Sequence, residues 1–220
     1  MRYKLGFTVN AKRIYRLLKT NNLLVKPNLR LVAKRKVTRS KPKPTRPNEW
    51  WGIDMTKVMI DGFGWVYVVL VLDWYTKKIV GHYAGIQCKS EHWLIALDKS
   101  LNKQFACGIR EQQQKLNLMS DNGCQPTAVS FMRNCSVLGI NQAFTSYNNP
   151  KGNADTERMM RTLKEELVWI NEWRSPQDFF GKLDRWVEYY NNEYLHSSLK
   201  YQTPANFEKR AVGKILLAAA

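Results

Sequence analysis

Residues 65–72 read Trp-Val-Tyr-Val-Val-Leu-Val-Leu, an almost wholly apolar and largely β-branched run. A strand with one wet face alternates apolar and polar side chains. This one does not, as a strand covered on both faces would not. Its neighbours complete the pattern. Residues 50–60 read as a first strand carrying Asp54, followed by a turn at Asp61-Gly62, and residues 77–86 as a third strand. Short connections make the three an antiparallel meander. No apolar stretch approaches the ~20 residues of a membrane span.

Beyond the meander the period changes from two to that of a helix. Ser90 is expected to cap a helix whose Leu94, Leu97, Leu101 and Phe105 recur at helical spacing. Residues 115–120 form a fourth strand ending at Asp121, and its entry through a helical crossover predicts parallel pairing with the first strand. A helix over 127–138, a strand over 140–144 and a loop over 145–151 follow. The next helix, residues 152–166, has an apolar stripe of Met160 and Leu163 that continues to Leu167 just beyond it. It carries Glu157, Arg161 and Lys164 along another face. Ser175-Pro176-Gln177-Asp178 and Thr203-Pro204 are start signals for two more helices, the first with a buried face of Phe179, Leu183, Trp186, Val187 and Tyr190, the second short. Trp50, Trp51, Trp65 and Trp74 are expected in the core, and His196 is expected to pin the C-terminal segment to it.

The charge is confined to one end. Residues 1–48 hold 15 Lys and Arg with no acid, and the remaining 20 basic residues face all 18 Asp and Glu. So one-sided a segment favours a polyanion, with nucleic acid the obvious one. Residues 8–24 read as one helix with a stripe of Ile14, Leu17 and Leu18. From Lys26 to Pro47 the chain is a proline-punctuated basic arm carrying Lys34, Arg35, Lys36, Arg39, Lys41 and Lys43. Residues 1–47 are therefore expected to form a basic segment, 48–170 a mixed α/β core and 171–220 a helical extension. Four cysteines without Cys-x-x-Cys spacing read as reduced thiols of a cytosolic protein.

Asp54, Asp121 and Glu157 each stand at the edge of an apolar element. Carboxylates gathered together repel and raise one another's pKa; a divalent cation reverses that cost, and Mg²⁺ or Mn²⁺ prefers oxygen ligands. Taken singly, Asp54 is also readable as a strand-end carboxylate, Asp121 as a turn former and Glu157 as a solvated partner of Arg161. Asp73, at the end of another strand, competes with Asp54.

These residues resemble the retroviral-integrase-type (DDE) transposases of bacterial insertion sequences, in particular the second-frame catalytic product of two-frame elements. The resemblance rests on Trp51-Gly52-Ile53-Asp54-Met55-Thr56, on the stretch from Leu72-Asp73-Trp74-Tyr75 to Gly81, and on Ser120-Asp121-Asn122-Gly123. It continues through the helix of residues 152–166 and Tyr190-Asn191, then His196-Ser197-Ser198-Leu199 and Thr203-Pro204, so it covers residues 48–208. It implies an α/β, ribonuclease-H-like core with a five-stranded mixed sheet flanked by helices. It implies Asp54, Asp121 and Glu157 as catalytic residues and ligands of two Mg²⁺ or Mn²⁺ ions, with Lys164 contacting DNA near the cut. The implied activity is metal-dependent cleavage and strand transfer at element ends. The implied partners are DNA, further copies of the chain and the first-frame product, in a bacterial cytoplasm at the nucleoid, with no membrane. Two departures stand out: Cys124 where serine is common, and Tyr194 where arginine is. A nuclease limited to hydrolysis and an inactive DNA-binding remnant are the alternative readings.

Overall fold

The computed structural model describes residues 6, 9–24, 42–111, 115–145 and 152–219. The chain divides into two compact units, Met1–Arg39 and Ser40–Ala220. In the first, helix α1 (Ala11–Thr20) is shorter than the sequence pattern predicts. The Asn10 side chain accepts from the Lys12 N–H at 2.9 Å and starts it, and Asn22, with φ of 55°, ends it. None of its ten residues is buried, as expected of a short helix that packs against little among the described residues. Lys34, Arg35, Lys36, Arg39 and Lys41 lie outside the described residues.

In the second unit the meander is β1 (Trp50–Ile60), β2 (Gly64–Asp73) and β3 (Ile79–Gly85), paired antiparallel throughout. Helix α2 (Ser90–Gln104) carries the chain across to β4 (Asn117–Ser120), which pairs parallel to β1 with Gly52 opposite Met119. Helix α3 (Val129–Val137) then leads to β5 (Asn141–Phe144), parallel to β4, giving the order β3-β2-β1-β4-β5. Helices α4 (Ala154–Leu163), α5 (Pro176–Asn192) and α6 (Pro204–Ala219) complete the unit. The last is a full 16 residues rather than the short helix expected.

Side-chain alternation along β1 and β2 sorts the core into two layers. Val58, Ile60, Val66, Val68, Leu70 and Leu72 pack with Met159, Met160 and Leu163 of α4 and with the apolar face of α5. Trp51, Ile53, Val69 and Val71 face the other way, onto Trp93 and Leu97 of α2 and Phe131 of α3. The residue run 65–72 is thus apolar because both its faces are covered. Cover fails only at the hairpin end, where Trp65 is 43% exposed with the Lys57 ammonium 4.4 Å from its ring centroid. The expectation of a core Trp65 is wrong for that reason, whereas Trp51 and Trp74 are buried and Trp50 stacks on Trp74.

Two local expectations also change. Ser90 is the first helical residue rather than the cap of α2; Lys89 holds the cap position, and its backbone N–H donates to His92 Nδ1 at 2.9 Å. The helix of Glu157 does not run unbroken to residue 166. It widens at Lys164–Val168 into a π-turn, closed by the Trp169 N–H donating to the Lys164 carbonyl at 2.8 Å. The Ser175 cap and Pro176 start of α5 follow the sequence pattern, with the Asp178 N–H donating to Ser175 Oγ.

Candidate active site

Asp54 sits mid-strand on β1, two residues beyond Gly52, on the face that carries α4. Extending the parallel register by two residues from the Gly52–Met119 pair brings Asp121 opposite Asp54, just past the end of β4. The charge of Asp121 acts on Asp54, so the two carboxylates lie within electrostatic reach of each other. Asp121 is exposed and held by its own turn: Oδ1 accepts from the Gly123 N–H at 3.1 Å, and Asn122 donates to the Thr145 carbonyl at 2.7 Å.

Glu157 is delivered by the seating of α4. Thr156, Met159, Met160 and Leu163 are buried beneath the helix, which turns Glu157 outward. The Trp74 indole N–H donates to Thr156 Oγ1 at 3.0 Å, and Lys77 pairs with Asp155 at 3.0 Å. Both contacts tie the first turn of α4 to the β2–β3 connection. Gly52 permits this closeness. A Cβ there would stand 1.9 Å from Thr156 Oγ1 and 2.4 Å from Trp74 Nε1, so no larger residue fits beneath the helix.

The electrostatics register the grouping. Burial, with smaller contributions from the Asp121 and Glu157 charges, lifts the Asp54 carboxyl to about 6, although its Oδ1 accepts from the Met55 N–H at 2.8 Å and Lys164 draws it down. Burial also raises Glu157. Three carboxylates with no imidazole or thiolate among them suit a hard divalent cation. Among the described residues, no three such side chains already form a ready metal cluster. Asp54 is fixed in the sheet, whereas Asp121 and Glu157 are exposed, so binding would draw the two exposed side chains inward.

The other candidates separate. Lys164, at the end of α4, is half-buried and acts electrostatically on Asp54. Arg161 does not pair with Glu157: its Nε donates to Glu165 at 2.7 Å, one turn further on. Lys43 lines a separate cavity with Tyr75 and Phe207. Ser198 Oγ and His196 Nδ1 are 2.9 Å apart, and the His196 backbone bridges to Gln202, binding the C-terminal segment to itself.

Asp73 shows why a raised pKa alone does not mark the site. Burial pushes it, too, up to about 6. Its side chain, however, is enclosed and saturated by backbone donors: Asn48 at 2.7 Å, Tyr75 at 2.7 Å and Thr76 at 3.0 Å. Asp73→Ala leaves three N–H groups without an acceptor and should cost about 3 kcal/mol of stability or more. Urea denaturation measures this, and an unchanged midpoint would return Asp73 to the list of candidate ligands.

The sheet order β3-β2-β1-β4-β5 and the two-sided helical cover define a ribonuclease-H-like fold. The integrase core domain family matches residues 44–150, and a second integrase core domain description matches residues 138–204. The transposase for insertion sequence element IS904 of Lactococcus lactis is 29% identical over 170 residues, 76% of this chain and 64% of that protein. The putative transposase InsK for element IS150 of Escherichia coli is 24% identical over 76% of this chain and 57% of its own length. Among solved structures, the catalytic core domain of HTLV-2 integrase, determined in complex with magnesium, superposes with a TM-score of 0.59. It is 13% identical, and the match covers 76% of this chain and 99% of that one. The chain thus matches the integrase core domain in two parts that together run over residues 44–204, and it is similar to transposases of bacterial insertion sequences. It spans 64% and 57% of the two transposases just named.

Proposed function

We propose that this chain cuts DNA at the ends of an insertion sequence and joins the freed 3′-hydroxyl to a target phosphodiester, with Asp54, Asp121 and Glu157 as its catalytic carboxylates. The observation that supports the reading is that Asp54 lies within electrostatic reach of Asp121, Glu157 and Lys164. Mg²⁺ or Mn²⁺, as two ions, would be held by the three carboxylates and would activate the attacking oxygen and stabilise the leaving one. The protein's own part is positional. Asp54 supplies a carboxylate fixed by the central strand. Asp121 and Glu157 would supply exposed ones from the neighbouring elements.

Lys164 would place a long cationic side chain beside this cluster, where it can hold a phosphate of the substrate in line with the acids. Correct placement of this kind is worth orders of magnitude in rate. The basic segment, with Lys34, Arg35, Lys36, Arg39, Lys41 and Lys43, would neutralise further phosphates, and Arg161 would do so from the helix surface. Strand transfer needs two DNAs held together, which favours several copies of the chain on one DNA complex. Among the described residues no helix is long and apolar enough to cross a membrane.

The experiment is a metal-dependent nicking assay on an oligonucleotide carrying an element end, with a second duplex as target. Nicked and joined products are the expected result. Nicking without joining would reduce the protein to a nuclease. Binding without either would make it a DNA-binding remnant.

A further inference from the structure

A trough of about 1020 Å³ opens beside Lys164, between the β1–β2 hairpin and the chain leaving α4. Its walls carry Trp65, Trp169 and Trp173 together with Lys57, Lys164 and Arg174. Trp169 is 66% exposed, having been turned outward where the π-turn closes on Lys164. Trp65 is likewise exposed beneath the Lys57 ammonium. Trp173 forms the buried floor. Asp61 and Glu172 also line the trough, so cations outnumber acids there by three to two.

Exposed indoles are costly unless something flat covers them, and lysines beside them call for anions. An unpaired nucleotide offers both halves at once: a base to lie on the indole and a phosphate for the adjacent ammonium. Stacked duplex hides its base faces and offers only the phosphates. The trough starts at Lys164, which also acts on Asp54, so the strand occupying it would be one reaching the acids. We infer that the trough is a binding site for unpaired nucleotides at a DNA end, with bases stacked on Trp169 and Trp65 and phosphates on Lys57, Lys164 and Arg174. The inference rests on the chain acting on DNA and extends that reading to the form of DNA it grips.

The test uses the full chain with a chelator present, so that no cleavage is required. Two duplexes of identical sequence are compared, one blunt and one ending in three unpaired nucleotides that include 2-aminopurine. The wild type should bind the frayed end about tenfold more tightly and quench the 2-aminopurine by stacking. Trp169→Ala should abolish most of that preference while blunt-end affinity stays within about twofold. Trp169→Phe should keep the quenching, because a smaller ring still stacks. Since Trp169 is largely exposed, neither substitution should unfold the protein, and circular dichroism checks this. Equal affinity of the wild type for both ends would overturn the inference and leave Asp54-dependent cleavage untouched. Failure to bind either DNA would overturn the proposed function as well. If Trp169→Ala leaves the preference intact and instead dissociates an oligomer in sedimentation, the surface is an interface between copies and the inference is wrong.

Discussion

Asp54→Asn should stop nicking and joining and, in the absence of divalent metal, should make the protein more stable at neutral pH. The two effects have one cause. The folded state holds the Asp54 proton up to about pH 6, against an ordinary value of 3.8. A raised carboxyl pKa means that the folded chain binds that proton more tightly than the unfolded one. Stability contributed by this group is therefore greatest below pH 4, falls as pH rises towards 6, and stays at its lowest above that. Asparagine removes the burdened charge, so the variant should gain about 1–3 kcal/mol over the wild type at pH 7.5, and nothing at pH 4. A gain of that size raises Tm by several degrees in a domain of this length. On the proposed reading, divalent cation should narrow the gap by binding the native wild type and stabilising it by mass action. Removing the carboxylate proposed to hold the metal should lower cleavage by about a thousandfold, the rate equivalent of several kcal/mol of metal-derived stabilisation. Asp121→Asn and Glu157→Gln should match the loss of activity with a smaller gain in stability, since both side chains are exposed. Thermal melts at the two pH values, with and without Mg²⁺, and the nicking assay read the whole set. A metal-free Asp54→Asn protein that is less stable at pH 7.5 would show a structural carboxylate like Asp73, and retained joining would remove Asp54 from the reaction.

The parts of this arrangement that were legible in the sequence are those encoded locally. Residues 65–72 declare a strand covered twice, and short connections around Asp61-Gly62 declare the meander. The helical crossover before residues 115–120 declares parallel pairing of β4 with β1. What was illegible depends on contacts between distant residues. Lys164-Glu165-Glu166-Leu167-Val168 contains nothing that breaks a helix, so its π-turn has no local sign. Trp65 and Val66 look alike in an apolar run, and only the edge of the helical cover exposes one and buries the other. Arg161 has Glu157 and Glu165 each four residues away, and spacing alone cannot choose between them; the structure chooses Glu165. Asp73 and Asp54 both end apolar stretches, and the difference lies in three backbone N–H groups that converge on one of them.

Gly52→Ala should be the most damaging single methyl group that can be added near the site. Strand β1 is hydrogen-bonded on both sides, to β2 and to β4, so it cannot retreat. The new Cβ would fall 1.9 Å from Thr156 Oγ1, 2.4 Å from Trp74 Nε1 and 2.9 Å from Asn153 Oδ1. Helix α4 must therefore lift, breaking the Trp74–Thr156 hydrogen bond and opening the packing of Met159, Met160 and Leu163. Overpacking of this kind costs about 1–3 kcal/mol, and the lost buried hydrogen bond adds about 1 kcal/mol more. The effect on chemistry should exceed the effect on folding. Glu157 rides on the turn that moves, and a displacement of about 1 Å in a positioning element can lower turnover by about a hundredfold. The folded fraction of Gly52→Ala should therefore bind DNA normally yet cleave about a hundredfold more slowly. Gly181 in α5 provides the comparison, since a Cβ there meets nothing within 4 Å. Gly181→Ala should leave cleavage unchanged and stabilise the helix by up to about 1 kcal/mol. Urea midpoints, DNA affinity and single-turnover cleavage separate these outcomes. If Gly52→Ala cleaves at the wild-type rate, the height of α4 above β1 does not set the position of Glu157, and that carboxylate loses its place in the proposed site.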